Sequence, residues 1–156
     1  MTTRRAAGTA ATFTAAALLG VSGCTSDSTG DVSELLDEIR AATAQYHDVT
    51  HAEAAGYESD GECVPHMGYH YVNGIHDTAD LDPLEPNILV YAPDGDGDLR
   101  LVAVEYGTFA DDAELFGIEF DPPGDPGPPF STLHAWVWLG NPDGTFDAHN
   151  PLVSCD

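Results

Sequence analysis

From residue 31 the chain repeats apolar positions every three or four residues, and past residue 56 it breaks into short runs cut by Gly, Pro, Asn and Asp. Val32, Leu35, Leu36, Ile39, Thr43, Tyr46 and Thr50 mark one face, so the spacing predicts a single long amphipathic helix over 31–55. Asp31 or Ser33 can cap its start, acids crowd its first turns as the helix dipole prefers, and Gly56 stops it. Strands are predicted at 66–73, 87–92, 99–108, 115–120 and 132–139, with the Asp-Gly run from Pro93 to Asp98 as a hairpin turn. The proline-rich stretch from Asp121 to Pro129 can be neither helix nor sheet and reads as an extended surface loop. Asn141 to Gly144 is a further turn, and 145–156 reads as irregular. The expected fold class is therefore α+β, a long N-terminal amphipathic helix packed on an antiparallel sheet or a small open barrel.

Residues 1–24 do not belong to that fold. Arg4 and Arg5 form a twin-arginine pair, Ala6 to Gly20 is a weakly apolar stretch too short and polar to span a bilayer stably, and Leu19-Gly-Val-Ser-Gly-Cys24 closes it. The ending resembles the lipobox of prokaryotic lipoproteins, which implies that Cys24 is lipidated and becomes the mature N-terminus. Residues 25–30 then read as a flexible tether and 31–156 as one domain. The expected location is the outer face of the cytoplasmic membrane, with lipid chains as the anchor.

Charge changes the picture further. Against 27 acids stand four basic residues, all arginine, for a net charge of −23, which excludes a nucleic-acid surface. A hydrophobic share of 42% is nevertheless enough for a packed core. Eighteen of the acids are Asp, dispersed along the chain. That pattern points to a saline habitat, where molar salt shortens the Debye length to about 3 Å and screens self-repulsion. The alternative is a surface for cations or basic partners.

With Cys24 assigned to lipid, Cys63 and Cys155 remain, and in an oxidising compartment they read as one disulfide. The competing reading makes Cys63 a metal thiolate beside His66. Other chemistry sits on strands. Alternation puts Glu105 on the face of Leu101 and Ala103, His134 on the face of Trp136 and Trp138, and His70 between Tyr69 and Tyr71. An unpaired buried carboxylate is costly, so these groups either satisfy one another or converge as a two-His-one-carboxylate site. His70, Glu105 and His134 are the expected ligands, with His66 as a further one, and the metal would be zinc, copper or iron.

Two other patterns are weaker. His47-Asp-Val-Thr-His51 resembles the zincin helix motif, but Asp48 stands where a glutamate base is needed. Asp94, Asp96, Asp98 and Glu105 match a calcium loop, except that Leu99 stands where the loop requires Gly. His76 and His149 fall in polar loops.

The strings Ala41 to Val49, Ala55-Gly-Tyr57, Cys63, Met67 to Asn73, Leu101 to Tyr106, Leu115 to Gly117, Leu133 to Trp138 and Asn150 to Cys155 resemble a family of uncharacterised secreted or lipid-anchored prokaryotic single-domain proteins without assigned activity. The resemblance covers nearly all of 31–156 and implies family positions at Cys63, His70, Glu105, His134 and Cys155, but not at His51 or Asp94 to Asp98. The expected function is an extracytoplasmic, membrane-tethered binding domain for a transition metal or small ligand. Alternatives are a redox or hydrolytic metalloenzyme using the same site and a structural module of the cell surface.

Overall fold

The structure, a computed structural model, describes residues 28–124 and 127–156, together with Thr2. Apart from Thr2, the expected export segment, with Arg4, Arg5 and Cys24, lies outside the described residues, as do 25–27 of the expected tether.

The expectation of one long N-terminal helix is overturned. In its place stand α1 (Ser28–Thr43), a single 3-10 turn (Ala44–His47) and α2 (Val49–Ala54). The break is local chemistry: Asp48 is extended, at φ −88° and ψ 109°, and its carboxylate accepts from the Thr50 N–H at 3.0 Å and the Thr50 hydroxyl at 2.7 Å. A short acidic side chain that captures the backbone two residues on ends one helix and caps the next. The expected apolar positions reach the core as far as the break, with Ile39 fully buried and Leu35, Leu36 and Tyr46 packed against the same cluster, but past it Val49 packs there while Thr50 of the expected stripe is exposed. Turning the chain after Thr43 lets both arms cover the sheet. α1 also begins inside the expected tether, at Ser28.

Nor is the sheet closed into a barrel. Five antiparallel strands run β1 (Glu58–Ser59), β2 (Tyr69–Val72), β3 (Ile88–Pro93), β4 (Leu99–Thr108) and β7 (Ser131–Ala135), in the spatial order β1-β2-β3-β4-β7. β5 (Glu114–Leu115) and β6 (Ile118–Glu119) form a separate hairpin. The strand expected over 115–120 is thus folded back on itself, because Phe116 and Gly117 take positive φ at the two-residue turn between Leu115 and Ile118.

Both faces of the sheet are covered, which is why β3 and the middle of β4 read as continuous apolar runs. Leu89, Tyr91, Leu101, Val104 and Tyr106 pack under the helices with Ile39, Ala52 and Tyr57. Val90, Ala92, Val102, Ala103 and Trp136 pack on the other side with Val153 of the C-terminal segment. The register shifts between Val90 and Tyr91, since Val90 pairs with Ala103 and Tyr91 with Leu101, leaving Val102 as an extra residue on β4. This bulge corrects the expected alternation: Glu105 keeps Ala103 on its face but loses Leu101 to the helix side. A second correction falls at the end of β7. The Val137 N–H donates to the Ala135 carbonyl at 2.9 Å, and Trp138 leaves the face of His134 to rest on His47 and donate to Thr43 Oγ1.

Cys63 and Cys155 are disulfide-bonded with their Cα atoms 5.8 Å apart, tying the C-terminus to the loop before β2 across 92 positions.

Candidate metal centre

β2, β4 and β7 deliver the central group on the face away from the helices, with β3 between the first two. Glu105 on β4 lies directly opposite His134 on β7 and, on its other side, opposite Ile88 of β3. His70 on β2 pairs with Val90 and so reaches diagonally over β3 toward the same carboxylate. Its Nε2 stands 3.6 Å from Glu105 Oε2, and His134 Nδ1 stands 3.6 Å from Oε1. His134 is 0% exposed and stacked on Trp136, Glu105 is 3% exposed and His70 8%.

These contacts are longer than hydrogen bonds, which run at about 2.7–3.2 Å for nitrogen donors. Glu105 Oε2 and both ring nitrogens of His134 have no hydrogen-bond partner among the described residues. Each such buried atom costs about 1–3 kcal/mol. Although the separations lie within ion-pair range, the environment opposes charge. Burial pushes the Glu105 carboxyl up to about 8, against the downward pull of the Thr132 hydroxyl and with help from Asp60 and Asp121. Burial, then His70 and His149, push His134 down to about 3, and burial lowers His70 against the pull of Asp60. The group at neutral pH is therefore two neutral imidazoles beside a protonated carboxyl, rather than an ion pair.

That state is one proton away from a ligand set. Neutral imidazoles are the form that binds metal, and only Glu105 must lose a proton. One donor atom from each of the three residues can be chosen so that all lie within 4.8 Å of one another, and the group could hold a metal ion. Zinc bonds of about 2.0–2.1 Å in a tetrahedral arrangement place donors roughly 3.3–3.4 Å apart, close to the two 3.6 Å separations.

Of the other expected ligands, the structure brings none to this group. His66 is exposed at the tip of a turn, with φ 66°, where the Val64 carbonyl accepts from Met67 and Gly68 and the strand expected from 66 has yet to begin. Cys63 is held in the disulfide and offers no thiolate. His47 and His51 belong to different helical pieces; one lies on Trp138 and the other contacts the Gln45 carbonyl. Asp48 between them is spent on its cap. Asp94 accepts from the N–H groups of Asp96 and Asp98 in a plain hairpin turn, and Glu105 is buried well along the strand.

No family model, curated protein or solved structure matches the chain. The site therefore stands on its own geometry.

A cleft of about 840 Å³ opens over the group, with His70 and Glu105 in its lining while His134 lies behind them. Val64, Met67, Phe130 and Ala148 contribute apolar walls, and Asp60, Asp121 and His149 add polar groups. Reading along the chain missed these last three. Asp60 and His149 come from segments brought together by the fold, and Asp121 from the proline-rich loop, which returns to pair with Thr132. The only local signal was that loop's stiffness, which fixes shape without revealing where the loop docks.

Proposed function

We propose that the protein is an exported, lipid-anchored metal-binding domain in which His70, Glu105 and His134 hold one transition-metal ion, reached through the cleft above. The observation that carries this reading is the buried, unpartnered state of His134 and of Glu105 Oε2 at the point where three donors converge. A core of ordinary hydrogen-bonding histidines would have paired these atoms. The donor set of two imidazoles and a carboxylate suits zinc, copper or iron and disfavours calcium, which takes six to eight oxygens.

Lipid anchoring rests on the twin arginines and on the small residues before Cys24, and an extracytoplasmic, oxidising location is in keeping with the disulfide. The resemblance to secreted or lipid-anchored single-domain proteins points the same way. Because the cleft exposes the Glu105 side of the group, a small molecule can approach a bound ion, which favours a ligand-binding role over a closed structural site. The ion would supply Lewis acidity at that open side.

Elemental analysis of the protein, purified in high salt without chelator, tests the proposal beside a His70→Ala/His134→Ala variant. About one zinc, copper or iron per chain, lost in the variant while its circular dichroism is kept, is the expected result. A folded wild type that takes up none of the three metals on incubation would overturn it.

A further inference from the structure

The cleft carries more information than access alone. Asp60 and Asp121 are fixed from opposite edges of the sheet by main-chain bonds. The Asp60 N–H donates to the His70 carbonyl at 3.0 Å, and Asp121 exchanges two bonds with Thr132, at 2.8 and 3.0 Å. Among the described residues neither carboxylate is in an ion pair, and His70 and His149 are the basic side chains of the lining. Among the described residues lining the cleft there is no arginine, Arg40 is tied to Val137 and Asp37 on the helix side, and Arg100 lies on β4 across from Ala92. The walls between are apolar, and Glu105, 3% exposed and with its Oε2 unpartnered, is part of the lining. Its place in the lining makes the cleft a built site rather than a chance gathering of acids.

We infer that the cleft takes a small organic cation, an ammonium on an apolar body, and excludes anions. The apolar body lies against Val64, Met67 and Phe130, and the ammonium lies against Asp60 and Asp121. A volume of about 840 Å³ is within the range of sites that enclose a drug-sized molecule. Phosphates and carboxylates meet two fixed negative charges at the entrance and the field of a chain with net charge −23. The role of such a ligand at an ion rests on the metal-centre reading, whereas the charge preference belongs to the cleft and is measurable without metal.

Benzylamine, benzyl alcohol and benzoate serve as matched probes, titrated into chelator-treated full-length protein in 0.1 M salt and followed by NMR amide shifts. Each partly solvated charge pair changes affinity by roughly two- to fivefold. Two carboxylates that attract one probe and repel the other give benzylamine an advantage over benzoate of about tenfold or more, with benzyl alcohol between. An Asp60→Asn/Asp121→Asn variant keeps every main-chain bond that anchors the two positions and brings that advantage below about threefold; 2 M salt does the same to the wild type. Equal binding of amine and acid, a preference untouched by the variant, or no binding of any probe would each overturn the inference. Metal uptake, measured on the same protein after the chelator is removed and zinc, copper or iron is added back, separates the two claims. Amine preference without metal uptake sinks the metal centre alone, and uptake without preference sinks only the ligand class.

Discussion

Replacing Glu105 by Gln removes the one group in the buried cluster that must ionise to bind metal, and the consequence for stability can be worked out with its sign. The Glu105 carboxyl stands near 8 in the folded protein against a model value of 4.5. Between those two pH values the folded state therefore holds a proton that the unfolded state has released, so stability falls as pH rises, by about 5 kcal/mol in all. Below 4.5 both states are protonated and the loss vanishes. His134 acts in the other direction: standing near 3 against 6.5, it stays neutral when folded while the unfolded chain takes up a proton, so stability falls as pH drops from 6.5 toward 3. Between 4.5 and 6.5 the two slopes cancel. His70, also lowered by burial, adds a further fall toward acid, so the metal-free wild type gains stability up to pH 6.5 and loses about 2 kcal/mol from 6.5 to 8. The Glu105→Gln protein lacks that second decline. Urea unfolding of both chelator-treated proteins from pH 4 to 9 gives a difference that opens from near zero change at 4.5 to about 5 kcal/mol at 8, beyond any constant offset from the new amide. Zinc at a thousandfold excess over its dissociation constant then restores about 4 kcal/mol to the wild type alone. Two curves that run parallel across the whole range would refute the reasoning, since Glu105 would then carry an ordinary carboxyl proton.

Three further outcomes follow from other parts of the structure. Cys63→Ser/Cys155→Ser removes a crosslink spanning 92 positions and costs about 4–5 kcal/mol on the chain-entropy account; chemical denaturation measures it, and a cost below about 1 kcal/mol would contradict that account. Gly68→Ala would place a Cβ 2.3 Å from the Tyr91 carbonyl oxygen at a φ of +106°, so the variant loses about 3 kcal/mol or more, and a thermal scan with an unchanged midpoint would show that β2 can move aside. With a net charge of −23, the unfolding midpoint rises between dilute buffer and 2 M sodium chloride, and equal midpoints would remove self-repulsion as a factor.

His70, Glu105 and His134 were legible because each interrupts an apolar or aromatic strand, and a polar group in such a setting is either satisfied or functional. Their faces were only partly legible: the bulge at Val102 and the tight turn at Val137 each shift the period of two by one, and neither leaves a mark such as Gly or Pro at that position. The spacing overextends the helix because the stripe continues through Tyr46 to Thr50 even though the backbone turns at Asp48 and leaves Thr50 exposed. Asp48, two residues before Thr50, held the contrary signal as a cap. What covers the site was out of reach, since Asp60, Asp121 and His149 meet only through tertiary pairing and carry no shared spacing.

X-ray absorption at the metal edge of the loaded protein tests the central claim most directly, because it reads the ligands themselves. The account predicts a first shell of nitrogen and oxygen at about 2.0–2.1 Å with the outer-shell signature of two imidazoles, reduced to none in His70→Ala/His134→Ala. A sulfur shell at about 2.3 Å, a shell without imidazole, or a folded protein with no metal to measure would contradict it.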